Sequence, residues 1–177
     1  MNGIVRAREL SEIGGRTVLI LDNFVGAPLT HFMHRFPDDM GAAVRTAHAI
    51  ATALASVHKQ KITHRTIDDR CVLLSGAEAA FDEDIRAHFA FFNFSRAPGG
   101  GDSPVPDPLE YADCVSWEYI APELTGLVDL PTDHRADLYS LGIVIYQMIT
   151  GNVPYRSGSA ADMMNWGRPG GASAEAR

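Results

Sequence analysis

Two short apolar stretches open the chain, residues 4–9 and residues 17–21 (TVLIL), with Gly14-Gly15 between them. Short apolar runs separated by a glycine pair predict two adjacent strands joined by a tight turn. Further on the period changes. From Val44 to His58 the positions Val44, Ala47, Ile50, Ala51, Leu54 and Val57 recur at three- and four-residue steps. That spacing predicts a helix with one apolar face and with Arg45, Thr52 and Lys59 off it.

Val72-Leu73-Leu74 and residues 85–92 flank the polar stretch GAEAAFDED, a pattern that predicts two short strands placed to pair as a hairpin. Residues 97–108 (APGGGDSPVPDP) concentrate glycine and proline, which deny both helix and ladder and predict a mobile loop. A helix is predicted from Ala136 to Thr150, apolar nearly all round and therefore buried, with Gly151 as its C-terminal cap. Residues 156–177 end in GRPGGASAEAR, which has no periodicity and predicts a flexible tail. No internal repeat is visible.

Composition narrows the class. The chain has 177 residues, 46% hydrophobic and 21% charged, which is ordinary for one globular domain and excludes disorder. Its 15 basic and 22 acidic residues are scattered and give a net charge of −7, so no nucleic-acid partner is expected. The N-terminal MNGIVRAREL lacks the apolar core of a signal peptide, and the longest apolar stretch, residues 141–149, is too short to span a bilayer, so no membrane insertion is expected. Cys71 and Cys114 lie far apart with no CxxC pairing, which points to a reducing compartment and a cytoplasmic location.

Four motifs follow one another: HRTIDDRCVLL at 64–74, FFNFS at 91–95, WEYIAPE at 117–123, and ADLYSLGIVIYQMITGNVPY from 136. In that order and spacing they resemble the protein kinase family across roughly residues 15–155. The resemblance implies an α+β, protein-kinase-like fold: a mostly α-helical large lobe at residues 26–155, a remnant of the small-lobe strands and hinge at residues 1–25, and truncation at both ends. Residues 17–33 then resemble the last small-lobe strand and the hinge, where backbone groups at Asp22 and Phe24 would meet an adenine ring. Leu73 would floor that pocket, and Phe92 is assigned to the same nucleotide surface.

Within the resemblance His64 and Arg65 match the start of the catalytic loop. Phe94, Pro122, Glu123, Asp137 and Gly142 match further supporting positions. Asp137 corresponds to the aspartate that caps backbone amides of the catalytic loop, and a plain helix N-terminal charge is the simpler alternative. The positions for chemistry do not match. Thr66 stands where the family has the aspartate that accepts the substrate proton, and a threonine hydroxyl has no basic form at neutral pH. Cys71 replaces a magnesium-holding asparagine with a soft thiol. Asn93 replaces the metal-binding aspartate with an uncharged amide, and Ser95 replaces a glycine, which predicts restricted switching of that loop. None of the three is competent, and no metal site is assigned. ATP and magnesium are the cofactors that the family would bring.

Other candidates read as structural. Asp68 and Asp69 are expected to be solvated loop carboxylates rather than a replacement base. His31 and His34 are expected to face solvent, and His48 and His58 to sit on the surface or boundary of their helix. Ser103 and Ser116 fall in the stretch resembling an activation loop, where a phosphate would meet Arg65. Glu123 corresponds to a residue whose family partner, an arginine, would lie beyond residue 177. One flank of the helix from Ala136 is expected to be exposed, because the helices that wrap it in the family would follow residue 160.

The leading functional expectation is a pseudokinase-like regulatory or nucleotide-binding module, partnered by other signalling domains or a parent multidomain protein. The wording of residues 19–33 and 133–155 is similar to the kinase-like domain at the front of large multidomain sensor histidine kinases. Part of an active serine/threonine kinase and a non-functional remnant are the competing expectations.

Overall fold

A computed structural model describes residues 3–76, 84–97, 116–125 and 130–154. They fall into two compact units. The first comprises Met1–Gln60 and Asp69–Phe91; the second comprises Lys61–Asp68 and Phe92–Arg177.

The first unit begins with a hairpin, β1 (Ala7–Ile13) against β2 (Arg16–Leu21), antiparallel, with Ile13 opposite Arg16. The register leaves only Gly14 and Gly15 in the turn, at φ 60° and 74°. Two consecutive left-handed residues make the turn whose twist suits a hairpin, so the glycine pair does what the sequence predicts. The first strand starts later than residue 4. Ile4 instead bridges Phe89, with Val5 N–H donating to Phe89 O at 2.9 Å and Phe89 N–H to Gly3 O at 2.8 Å.

The second sheet of this unit has the order β3 (Ala27–Pro28), β4 (Val72–Ser75), β5 (Arg86–Phe89), all antiparallel. The predicted hairpin of residues 72–74 and 85–92 is present, its second strand shortened to four residues. Of the polar stretch between the strands, residues 77–83 lie outside the described residues. Gly26 is dictated by crowding ahead of β3: an added Cβ would lie 2.1 Å from the carbonyl oxygen of Leu74.

The helix α1 runs Met40–His58, four residues earlier than the predicted start. Asp39 caps it, its Oδ1 accepting the N–H of Ala42 at 2.8 Å. The buried face is Ala42, Ala43, Thr46, Ile50, Ala53, Leu54 and Val57. Val44 is 60% exposed and Ala51 is exposed, so the apolar face is rotated from the predicted one. Alanines surround this helix, and only the bulky Ile50, Leu54 and Val57 decide which side enters the core with Leu29, Phe36, Val72, Leu74 and Phe89.

The second unit is built on α2 (Arg135–Thr150). Gly151 ends it at φ 75° and donates its N–H to Gln147 O at 2.8 Å, the left-handed cap that the sequence predicts. Its buried side carries Ala136, Asp137, Ser140, Leu141, Ile143, Val144 and Met148. Burial is not all round: Leu138, Tyr146 and Ile149 are exposed, the open flank expected from the sequence. Ile120, Ala121 and Leu124 pack on Ala136, with Tyr139 against them. The predicted loop from residue 98 and the predicted tail at residues 156–177 lie outside the described residues.

Candidate functional site

Asp137 organises the second unit. It is fully buried, and its two carboxylate oxygens accept the backbone N–H of His64 (2.8 Å, Oδ2) and of Arg65 (2.6 Å, Oδ1). Hydrogen bonds to an ionised acceptor are among the stronger ones, and they satisfy two donors that burial would otherwise orphan. Asp137 is therefore far more than a helix N-terminal charge. Arg65 needs the support, because it lies at φ 73°, a left-handed conformation that side chains enter at a cost. Its guanidinium is held below its usual pKa chiefly by burial, then by the nearby charge of Arg96, with Asp137 offsetting part of the effect.

The segment after residue 91 is fastened to this loop. Thr63 and Arg96 exchange backbone hydrogen bonds at 2.9 Å each way, and the rings of His64 and Phe92 lie 4.5 Å apart. Thr66 and Asn93 thus belong to two segments held side by side, Thr66 half-buried and Asn93 exposed. Phe92, assigned from the sequence to a nucleotide surface, spends its ring on His64. Ser95 donates its hydroxyl to Phe92 O at 2.9 Å, and its N–H reaches the same oxygen at 3.3 Å. Its φ is not positive. Its hydroxyl closes the turn over Asn93 and Phe94.

Asp68 is not the solvated carboxylate expected. It is 7% exposed, and its Oδ2 accepts the hydroxyl of Ser116 at 3.0 Å. A hydroxyl donor 48 positions away compensates a burial that the local sequence gave no sign of. Asp69 is half-buried, its carbonyl accepting the N–H of Thr30 at 3.2 Å. Ser116 is therefore placed on a carboxylate, and a phosphate there would meet the like charge of Asp68. Ser103 lies outside the described residues.

The residues from Trp117 to Leu124 form two short 3-10 helices, Trp117–Tyr119 and Pro122–Leu124, with Pro122 at the start of the second. Hydrogen bonds at Tyr119 fasten the first of them to α2. Tyr119 donates its hydroxyl to Gln147 Oε1 at 2.6 Å, and Ser140 donates to Tyr119 O at 2.7 Å. The sequence reading missed Ser140 and Gln147. Their signal is their spacing: Asp137, Ser140 and Gln147 put the polar groups of an apolar helix on one side. Glu123 is half-buried, and its charge adds to the effect of Asp133, whose hydrogen bonds dominate in holding the Arg135 guanidinium above its usual pKa.

The first unit holds the other sequence candidates. Asp22 donates its N–H to Arg6 O at 2.8 Å. Leu73 sits on the half-exposed face of β4, opposite His88 in β5. Phe24 packs edge-on against that same His88, ring centroids 5.1 Å apart. Phe24 and Leu73 thus share a side-chain neighbour. Cys71 is 3% exposed, its thiol buried, and its backbone carbonyl accepts the N–H of Ala90 at 2.9 Å. Cys114 lies outside the described residues. His31 and His34 are exposed, the former edge-on to Phe32; His48 is exposed and His58 is half-buried in the last turn of α1.

A buried aspartate opening a helix and capping a His-Arg loop, with a segment ending in Ala-Pro-Glu fastened to the same helix, is the supporting frame of a protein kinase large lobe. The protein kinase domain family matches residues 1–168, and the chain belongs to that family. Similar proteins include the serine/threonine-protein kinase ULK1 of Homo sapiens, 27% identical over 163 residues, 90% of this chain and 15% of the relative. The serine/threonine-protein kinase ATG1b of Arabidopsis thaliana is 28% identical over 162 residues, 91% of this chain and 21% of the relative. The serine/threonine-protein kinase pkn3 of Myxococcus xanthus is 26% identical over 147 residues, 82% of this chain and 26% of the relative. The chain thus spans about a quarter or less of the length of these relatives. Among the described residues no helix is long and apolar enough to cross a membrane.

Proposed function

We propose that this protein kinase domain is a pseudokinase, a cytoplasmic regulatory module that binds a nucleotide without transferring its phosphate. The observation that carries the reading is the intact Asp137 cap on His64 and Arg65 beside a catalytic loop whose next residue is Thr66. Residues that support backbone are kept, and those that move protons or hold metal are replaced. Losing a positioned general base costs on the order of a hundred- to ten-thousand-fold in rate.

The residues present do not fit magnesium. Cys71 is a soft and nearly inaccessible thiol, and Asn93 is a neutral amide. They do fit an adenine: the Asp22 carbonyl offers an acceptor, and Phe24 and Leu73 offer apolar surface. Its partners are other signalling domains, in the same polypeptide or in a larger parent assembly. The test is a thermal-shift titration with ATP, with and without magnesium. Stabilisation by ATP that magnesium leaves unchanged supports the reading, and a tightening of about tenfold or more on adding magnesium refutes the loss of the metal site.

A second reading is active serine/threonine phosphotransfer, favoured by the names of the relatives and by the buried Asp68 two positions past Thr66. It requires Asp68 to serve as the base, so Asp68→Asn would abolish turnover that Thr66→Ala leaves in place.

A further inference from the structure

We propose that the outer edge of β2 in the first unit is a self-association surface, on which a second copy of this chain adds its own β2 antiparallel, across a two-fold axis at Leu19. Among the described residues the β1–β2 hairpin is a two-stranded sheet that no further strand extends. Two strands alone are marginal in water, and an uncovered edge offers its amides and carbonyls to another strand. One face of the hairpin is apolar and uncovered as well: Leu10 and Leu19 stand opposite each other on it, 71% and 58% exposed.

The two edges are not equivalent. β1 carries a register shift between Ala7 and Glu9, an irregularity that disrupts the ladder and blunts that edge. β2 has no such interruption from Arg16 to Leu21. The turn decides which of its backbone groups are in use. A two-residue turn closes on a hydrogen-bonded pair, here Ile13 and Arg16, so Arg16, Val18 and Ile20 direct their backbone groups to β1. Asp22 keeps the alternation, its N–H donating to Arg6 O at 2.8 Å. Thr17, Leu19 and Leu21 therefore turn their amides and carbonyls to the open edge.

Charge complementarity selects a second copy as the occupant. A two-fold contact is self-complementary, each residue meeting the counterpart of its own partner. Centred on Leu19, antiparallel pairing sets Arg16 opposite Asp22 of the second copy at both ends, Thr17 opposite Leu21, and Val18 opposite Ile20. Arg16 and Asp22 are both exposed. Moving the axis by one residue in either direction loses both ion pairs. Residues directly opposite share a face, so Leu10 and Leu19 of the two copies form one apolar strip across four strands spaced about 4.8 Å apart. Each cross-strand pair adds little by itself, and the dimer is accordingly concentration-dependent. The surface stands whether or not ATP binds.

The experiment is sedimentation velocity of the whole chain over a concentration series. The unaltered chain is expected to pass reversibly from monomer to dimer. Leu19→Lys sets two lysines against each other across the axis and is expected to stay monomeric throughout. Arg16→Asp turns both ion pairs into like-charge pairs and is expected to weaken the dimer about tenfold or more; adding Asp22→Arg to it exchanges the charges and is expected to restore the dimer. Thermal melts establish that each variant is folded. The proposal is overturned if the unaltered chain stays monomeric or grows beyond a dimer, if folded Leu19→Lys or Arg16→Asp protein dimerises as well as the unaltered chain, or if the double charge exchange fails to restore association.

Discussion

Replacing Asp137 by alanine takes the acceptor from two buried amides at once. The N–H groups of His64 and Arg65 lie 2.8 and 2.6 Å from its carboxylate, at a site with no solvent exposure. Each donor left unsatisfied costs about 1–3 kcal/mol, so the variant should lose about 2–6 kcal/mol of a stability that is ordinarily about 5–15 kcal/mol. Arg65, at φ 73°, loses the bond that secures its left-handed backbone. Asp137→Asn keeps the shape and one acceptor oxygen, and should lose about half as much. Urea denaturation followed by circular dichroism gives the change in stability, and amide exchange locates it: the His64 and Arg65 protons should exchange faster while α1 is unchanged. A loss under about 0.5 kcal/mol for the alanine variant, with both amides still protected, would refute the reasoning, since surface substitutions reach that much.

Four other perturbations test separate parts of the structure. Thr46 is fully buried and its hydroxyl has no partner among the described residues, so Thr46→Val should raise stability by about 1 kcal/mol, read as a higher urea midpoint. Gly26→Ala forces a methyl to 2.1 Å from Leu74 O and should cost about 1–3 kcal/mol or prevent folding, read by the same melt. Ser116→Glu sets a carboxylate against Asp68 and should loosen the segment from Trp117 to Leu124, seen as faster limited proteolysis; Ser116→Ala should cost only about 0.5–1.5 kcal/mol. His88 has its pKa lowered from 6.5 by burial and then by Arg86. The unfolded chain therefore binds the proton more readily, so this contribution to stability is complete above pH 6.5 and is lost as pH falls below it. His88→Gln should flatten that acid limb.

Local chemistry was legible wherever it is written in adjacent residues. Gly14-Gly15 can be only a turn, Gly151 only a cap, and the strand pair β4 and β5 shows in its own apolar runs. Asp137 was recognisable through resemblance, and its two bonds bear that out. What could not be read depends on partners distant in the chain. Asp68 reads as a loop acid until Ser116 is brought to it. The buried face of α1 could not be chosen from periodicity because alanine occupies so many of its positions, and alanine fits either side. Ser95 reads in the sequence only as the loss of a glycine; its hydroxyl also closes a turn, a role visible only once Phe92 O is in reach. The exposed flank of α2 shows the opposite limit, since its leucine, tyrosine and isoleucine gave no hint of which among them face outward.

The direct trial of the central claim is a phosphotransfer assay on the whole chain with labelled ATP, magnesium and a general protein acceptor, run beside Thr66→Ala and Asp68→Asn. Incorporation should stay at the level of the protein-free control in all three. Incorporation by the unaltered chain that either substitution removes would contradict the account, and the variant responsible would identify the residue doing the chemistry.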